Sequence, residues 1–205
     1  MNIPLSLLAV VLLVAGCGSS KTAPTDGEAA NKPDGTTAAE AGGEATETVG
    51  TLTGPGGSVS LGDAPEKFEA AFPRPEGATD PQNPAVEDLK FVGWQTQAEV
   101  ASAAVRANKI VALFHAKMSP EQSWFESARS DFGKPEHDVE NDLGAFTSWR
   151  QGKNEYIVML FKGQTPMTIQ ATGESATLKV LQLDSAQIAG DLKTQGEAAA
   201  AGEGA

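Results

Sequence analysis

The sequence predicts an α+β domain in which helices pack on an antiparallel β-meander, and three observations carry that expectation. Helix-start signatures stand at Asp63, Thr96 and Ser119, ahead of residues with helical apolar spacing. Two unbroken apolar runs, Ile110–His115 and Tyr156–Phe161, read as buried strands. From Phe146 onward, short strand-like segments alternate with turn residues at hairpin spacing.

The elements follow in order. Asp63-Ala-Pro-Glu66 is a capping box with proline in the first turn, and the helix behind it buries Ala64, Phe68 and Phe72 before Pro73 ends it. A proline-rich loop to Pro84 leads to a short strand at Phe91–Trp94. Thr96-Gln-Ala-Glu99 is a second capping box, predicting an alanine-rich helix to Asn108. Ser119-Pro-Glu-Gln122 starts a third helix, whose inner face is Trp124, Phe125, Ala128 and Phe132 and whose C-terminal cap is Gly133. After a polar loop, strands are expected at Phe146–Arg150, Glu155–Lys162, Met167–Thr172 and Ala176–Leu183. The run Tyr156–Phe161 is apolar on both faces and therefore central. Thr168, Gln170 and Thr172 alternate with apolar residues and predict a strand with one wet face.

The ends of the chain have a different composition. Residues 18–55 are built mainly of Gly, Ala, Thr, Ser, Glu, Asp and Pro, too poor in apolar surface to offset the entropy of ordering. As a flexible coil such a segment reaches about 35 Å. Residues 193–205 read as a second low-complexity tail, leaving 56–192 as the folded domain.

The single cysteine, Cys17, closes an apolar run that begins at Ile3. At about 1.5 Å per helical residue that run falls short of a bilayer core of about 30 Å, so it reads as a cleaved leader over residues 1–16. Val14-Ala15-Gly16-Cys17 resembles the lipobox of bacterial lipoproteins. The resemblance implies cleavage before Cys17, a diacylglycerol on its thiol, and a mature protein anchored to a membrane by its N-terminal lipid. An exported chain with one cysteine has no internal disulfide partner, which agrees with a thiol consumed by lipidation. The n-region lacks the Lys or Arg usual in such leaders. Gly18 stands where resemblance to inner-membrane-retained lipoproteins would require Asp, so the expected address in a two-membrane cell is the outer membrane. In a one-membrane cell it is the outer face of the plasma membrane.

A second resemblance lies in the mature domain. The succession of a helix, Phe132-Gly-Lys-Pro135, an acidic loop, a strand holding Trp149 and the strand Tyr156–Phe161 resembles the helix–helix–sheet module of small outer-membrane assembly lipoproteins and tandem-repeat β-lactamase-inhibitor proteins. The first half echoes it as a diverged repeat. Phe72-Pro-Arg-Pro75 parallels Phe132-Gly-Lys-Pro135, Trp94 parallels Trp149, and Val111–Phe114 parallels Val158–Phe161, with the alanine-rich segment from Thr96 as an insertion. The resemblance implies a binding or assembly role through protein contacts and no catalysis.

Chemistry-bearing residues are sparse. The net charge of −12 provides no field for gathering nucleic acid, so no nucleic-acid partner is expected. Nucleophile-elbow, zinc-protease and phosphate-cradling motifs do not occur in the sequence. The carboxylates Glu121, Glu126, Asp131 and Glu136 have no spacing that selects an acid–base pair. His115 ends an apolar strand and reads as structural. His137, Asp138, Glu140 and Asp142 form the densest set of potential metal ligands, but Leu143 and Trp149 stand where a calcium loop requires Gly and Glu. The segment is therefore expected to be a solvated acidic loop, with no cofactor. Trp149 with Arg150, on a strand leading into an exposed turn, is the candidate protein-binding pair. These readings favour a lipid-anchored, non-catalytic envelope protein that binds another envelope protein. The alternatives are a small-ligand or metal-binding envelope domain, and a hydrolase with an unrecognised site.

Overall fold

A computed structural model describes residues 48–81 and 85–202. The expectations for the leader, for Cys17 and for most of the linker lie outside those residues. A hairpin of β1 (Thr51–Gly54) and β2 (Gly57–Ser60) precedes α1 (Pro65–Ala71). A first meander follows: β3 (Lys90–Gln95), β4 (Glu99–Arg106) and β5 (Lys109–Lys117). Then α2 (Gln122–Phe132) leads to a second: β6 (His137–Asn141), β7 (Gly144–Gln151), β8 (Asn154–Phe161) and β9 (Met167–Glu174). Two helices close the described chain, α3 (Ser175–Val180) and α4 (Ser185–Gly202).

The meanders join through β5 and β9 into one seven-stranded antiparallel sheet, ordered β3-β4-β5-β9-β8-β7-β6. The fold class is α+β, with elements on both faces of the sheet. On one face Leu52 and Val59 of the hairpin, Phe68 of α1 and Phe125 and Ala128 of α2 pack with Ala101, Leu113, Trp149, Tyr156 and Val158. On the other, Leu178 before α4 and Ala189 within it cover Ala104, Ala112, Phe146, Ile157, Met159 and Ile169. A sheet covered on both sides explains why β8 is apolar without alternation.

Two local expectations are overturned by this two-sided burial. The segment after Thr96 is strand β4, not an alanine-rich helix. Thr96 Oγ1 accepts hydrogen bonds from the N–H groups of Ala98 (3.2 Å) and Glu99 (3.0 Å), as an N-cap would. Its own N–H, however, donates to the Glu99 carbonyl at 2.8 Å and closes a hairpin. Alanine's helix propensity is a weak prior, and pairing with β3 and β5 overrides it; small side chains suit a strand with cores on both faces. The wet face expected for Met167–Thr172 is also absent, because β9 is the middle strand. Thr168, Gln170 and Thr172 are buried, and both threonines are bonded: Thr168 Oγ1 donates to the Ser119 carbonyl at 2.8 Å and accepts from the Glu121 N–H at 2.9 Å. Thr172 Oγ1 donates to the Glu155 carbonyl at 3.0 Å.

The strand expected at Ala176–Leu183 is mostly helix α3, seated by the fully buried Leu178. The loop expected at His137–Asp142 is mostly edge strand β6. The boundary at residue 56 falls inside the β1–β2 hairpin, and residues 193–202 continue α4 rather than forming a tail. Asp63 is not the N-cap of α1; its carboxylate accepts from the Ser60 N–H at 2.7 Å and pairs with Lys67 at 2.9 Å. Among the described residues no helix is long and apolar enough to cross a membrane.

Candidate functional site

The site is built where α2 ends against the end of β7. Gly133, at φ +70°, takes the left-handed conformation that glycine adopts without strain and turns the chain out of the helix. The loop Lys134-Pro135-Glu136 then runs beside β7. Trp149 pins it, its indole N–H donating to the Gly133 carbonyl at 2.9 Å. The result is a cleft of about 650 Å³ whose walls include Val49, Asp131, Phe132, Lys134, Pro135, Glu136, Trp149 and Arg150. That volume lies within the range of ligand pockets.

Both residues of the sequence-predicted binding pair therefore line one cleft, but not in the manner expected. Trp149 is only 3% exposed and belongs to the core. Phe132, Trp149 and Tyr156 stack edge to face, with centroids 4.9 to 6.1 Å apart. What the cleft offers of this cluster is the partly buried Phe132 and the rim of the indole. Arg150 keeps its guanidinium at the surface, but two carboxylates already hold it. Nε lies 3.2 Å from Glu136 Oε2, and Nη2 lies 3.5 Å from the almost fully buried Glu155 Oε1. Arg150 is thus a neutralised strut between the loop and β8 rather than a free cationic anchor.

The set His137, Asp138, Glu140 and Asp142 is not brought together. Strand alternation sends His137 to the opposite face from Asp138 and Glu140. Asp138 accepts from Thr147 Oγ1 at 2.9 Å and pairs with Arg129 at 3.0 Å, while Glu140 pairs with Lys162 at 3.1 Å. Among the described residues no three His, Cys, Asp or Glu side chains cluster as metal ligands.

His115 is buried on β5 between aromatic rings, 5.3 Å from Phe72 and 4.8 Å from Trp124. Its Nε2 donates to Glu99 Oε1 at 2.5 Å, which fixes the tautomer with hydrogen on Nε2 while the ring is neutral. Burial pushes the imidazole pKa below its ordinary value and outweighs the Glu99 carboxylate, which pulls the other way. Lys117, 5.4 Å above the Trp124 ring, adds to the lowering, and Glu121 opposes it. His115 therefore fits its reading as a structural histidine, and Glu99 is the partner that sequence reasoning missed.

Sequence reasoning also missed most of the cleft wall. Val49 lies in the segment read as linker, and Phe132-Gly-Lys-Pro135 reads in the sequence as a helix end and a repeated motif, not as a binding wall. No known protein family, curated protein or solved structure matches this chain.

Proposed function

We propose that this chain is a lipid-anchored cell-envelope protein whose α+β domain binds another envelope protein through the cleft at the end of α2. The observation that carries the binding half is the cleft itself, a built concavity with an apolar wall from Val49, Phe132, Pro135 and the Trp149 rim. The anchor half rests on the sequence Val14-Ala15-Gly16-Cys17. Two acyl chains hold a protein on a bilayer stably, where one does so marginally. Thr48 and Val49 line the same cleft. The test is a photo-crosslinking residue placed at the exposed Gln151 in cells, with Glu66 as a remote control. A discrete adduct from Gln151 alone is expected; equal or absent adducts at both positions would overturn the cleft as binding surface. Cys17→Ala is expected to release the protein to the soluble fraction.

A small-ligand site is the second reading, favoured by the cleft volume alone. A ligand-dependent melting shift lost on substitution of Lys134 or Asp131 would select it.

We also infer that the domain is two diverged α-β-β-β units. The Trp94 N–H donates to the carbonyl of Phe72, at the end of α1, at 2.9 Å, as Trp149 does to Gly133 at the end of α2. Trp94 pairs across strands with Ala101 and Trp149 with Tyr156, at the same sequence separation. The order β3-β4-β5-β9-β8-β7 reads alike from either end, with β6 the addition in the second unit. On this reading β4 is the counterpart of β8 rather than an insertion, and β5 that of β9. Val111–Phe114 is then not the equivalent of Val158–Phe161.

A further inference from the structure

We propose that the cleft receives a basic side chain, lysine or arginine, from the protein partner; the inference rests on the binding role proposed above. The cleft's charges decide the sign. Arg150 is enclosed by Glu136 and Glu155, two carboxylates against one guanidinium, so that group is net negative. Asp131 adds a carboxylate at the rim and Lys134 an ammonium, which offset each other, so the acidic balance is the charge of Glu155, behind Arg150 and outside the lining. The chain's net charge of −12 extends the same preference outward and attracts a cationic partner at long range. The walls suit the rest of such a side chain. The aliphatic stem of lysine or arginine packs along Val49, Pro135 and the exposed part of Phe132, while the charged head stays near the carboxylates of Asp131 and Glu136. An acidic side chain would find Arg150 already held by two carboxylates and only Lys134, beside Asp131 in the lining, to receive it.

The sign is tested with the full chain in detergent micelles, following the Trp149 indole N–H by nuclear magnetic resonance. The probes are acetyl-Gly-Lys-Gly-amide, acetyl-Gly-Glu-Gly-amide and spermidine. The lysine peptide is expected to shift the resonance saturably and the glutamate peptide to leave it unmoved. Asp131→Asn should weaken lysine-peptide binding about threefold and Lys134→Gln strengthen it about threefold, the size of one screened charge contact. Both side chains lie at the cleft rim, so neither change threatens folding. The reverse order of the two variants, or preference for the glutamate peptide, overturns the basic-side-chain assignment. Binding of spermidine without the peptide overturns it in favour of a free polyamine. A silent lysine peptide together with a persistent in-cell adduct at Gln151 removes this assignment and leaves the binding role standing. Loss of both removes the two together.

Discussion

The indole nitrogen of Trp149 and the carbonyl oxygen of Gly133 are 2.9 Å apart, and this bond ties the end of α2 to β7. The last carbonyls of a helix lack partners within the helix, so a donor from the sheet both satisfies one and fixes where the helix stops. The loop that forms the cleft hangs from this point. Trp149→Phe removes the N–H and part of the ring from a packed site. It is expected to cost about 2–3 kcal/mol, from the missing hydrogen bond and the residual cavity. Trp94→Phe, which frees the Phe72 carbonyl, should cost a similar amount. Urea unfolding of both variants checks this, and a loss under about 0.5 kcal/mol in either would show that its bond is not structural. Trp149→Ala, the natural test of a surface hot spot, is unsuited to testing binding because it would damage the core.

The pair His115–Glu99 sets a pH dependence whose sign follows from the lowered histidine pKa. In the unfolded chain the imidazole takes up a proton as pH falls through about 6.5. In the folded chain, burial beneath Phe72 and Trp124 delays that uptake to lower pH. Stability contributed by the neutral ring is therefore complete above about pH 7 and declines as pH falls through the unfolded value. Urea midpoints should drop between pH 7.5 and 5.5. His115→Gln should flatten that slope while lowering stability at pH 7.5. An unchanged slope in the variant would assign the dependence to another group. Asp63 and Asp184 act in a lower window. Burial raises each pKa, but hydrogen bonds outweigh it, from Lys67 and the Ser60 N–H for Asp63 and from Lys179 for Asp184. Their net lowered values give stability that is present above about pH 4 and lost on further acidification.

Where local pattern and tertiary demand agreed, the sequence was legible. Phe68, Trp124 to Phe132, and the run Tyr156–Phe161 each took the predicted element because apolar spacing and burial point the same way, while Phe72 caps its helix and Ala64, expected buried, is exposed. Two of the failures share one cause. A strand covered on both faces loses alternation, so β4 with its alanines imitates a helix and β9 with its threonines imitates a half-wet strand. Thr96 compounded the first error, since the same side-chain bonds start a helix and close a turn. At the site, Trp149 and Arg150 stood out because Trp with Arg is a typical binding composition, but Trp149's burial and Arg150's ion pairs were not legible. Glu155, which spends the charge of Arg150, is identified only by strand pairing.

Gly93 shows the cost of close packing between β3 and β4. Its φ of +136° is a conformation side-chain-bearing residues rarely adopt, and a Cβ there would lie 2.1 Å from the Ala101 carbonyl oxygen. The obstruction is backbone, so it does not yield by side-chain rotation. Gly93→Ala is expected to destabilise by about 2 kcal/mol or more, with strain and overpacking adding. A variant as stable as the parent would mean that β3 shifts along β4, which cross-strand exchange contacts involving Trp94 and Ala101 would reveal.

Helix α4 divides into a docked half and a projecting half. Ser185 and Ala189 are buried, and Ile188 and Leu192 pack beside them on the second core. Asn141 Nδ2 donates to the Leu192 carbonyl at 2.8 Å, and Gly196 passes so close to Asn141 that a Cβ would sit 2.4 Å from the amide nitrogen. Residues 197–201 are exposed, so little beyond the intrinsic propensity of alanine holds them helical. Deleting residues 197–205 should therefore change stability by less than about 0.5 kcal/mol. Ending the chain at Asp184 uncovers Phe146 and its neighbours and should cost several kcal/mol or prevent folding, because it removes a whole layer of apolar burial. Amide exchange on the intact chain gives an independent readout. Protection is expected over residues 189–196 and little beyond, and slow exchange at 198–201 would show that the projecting half is docked after all.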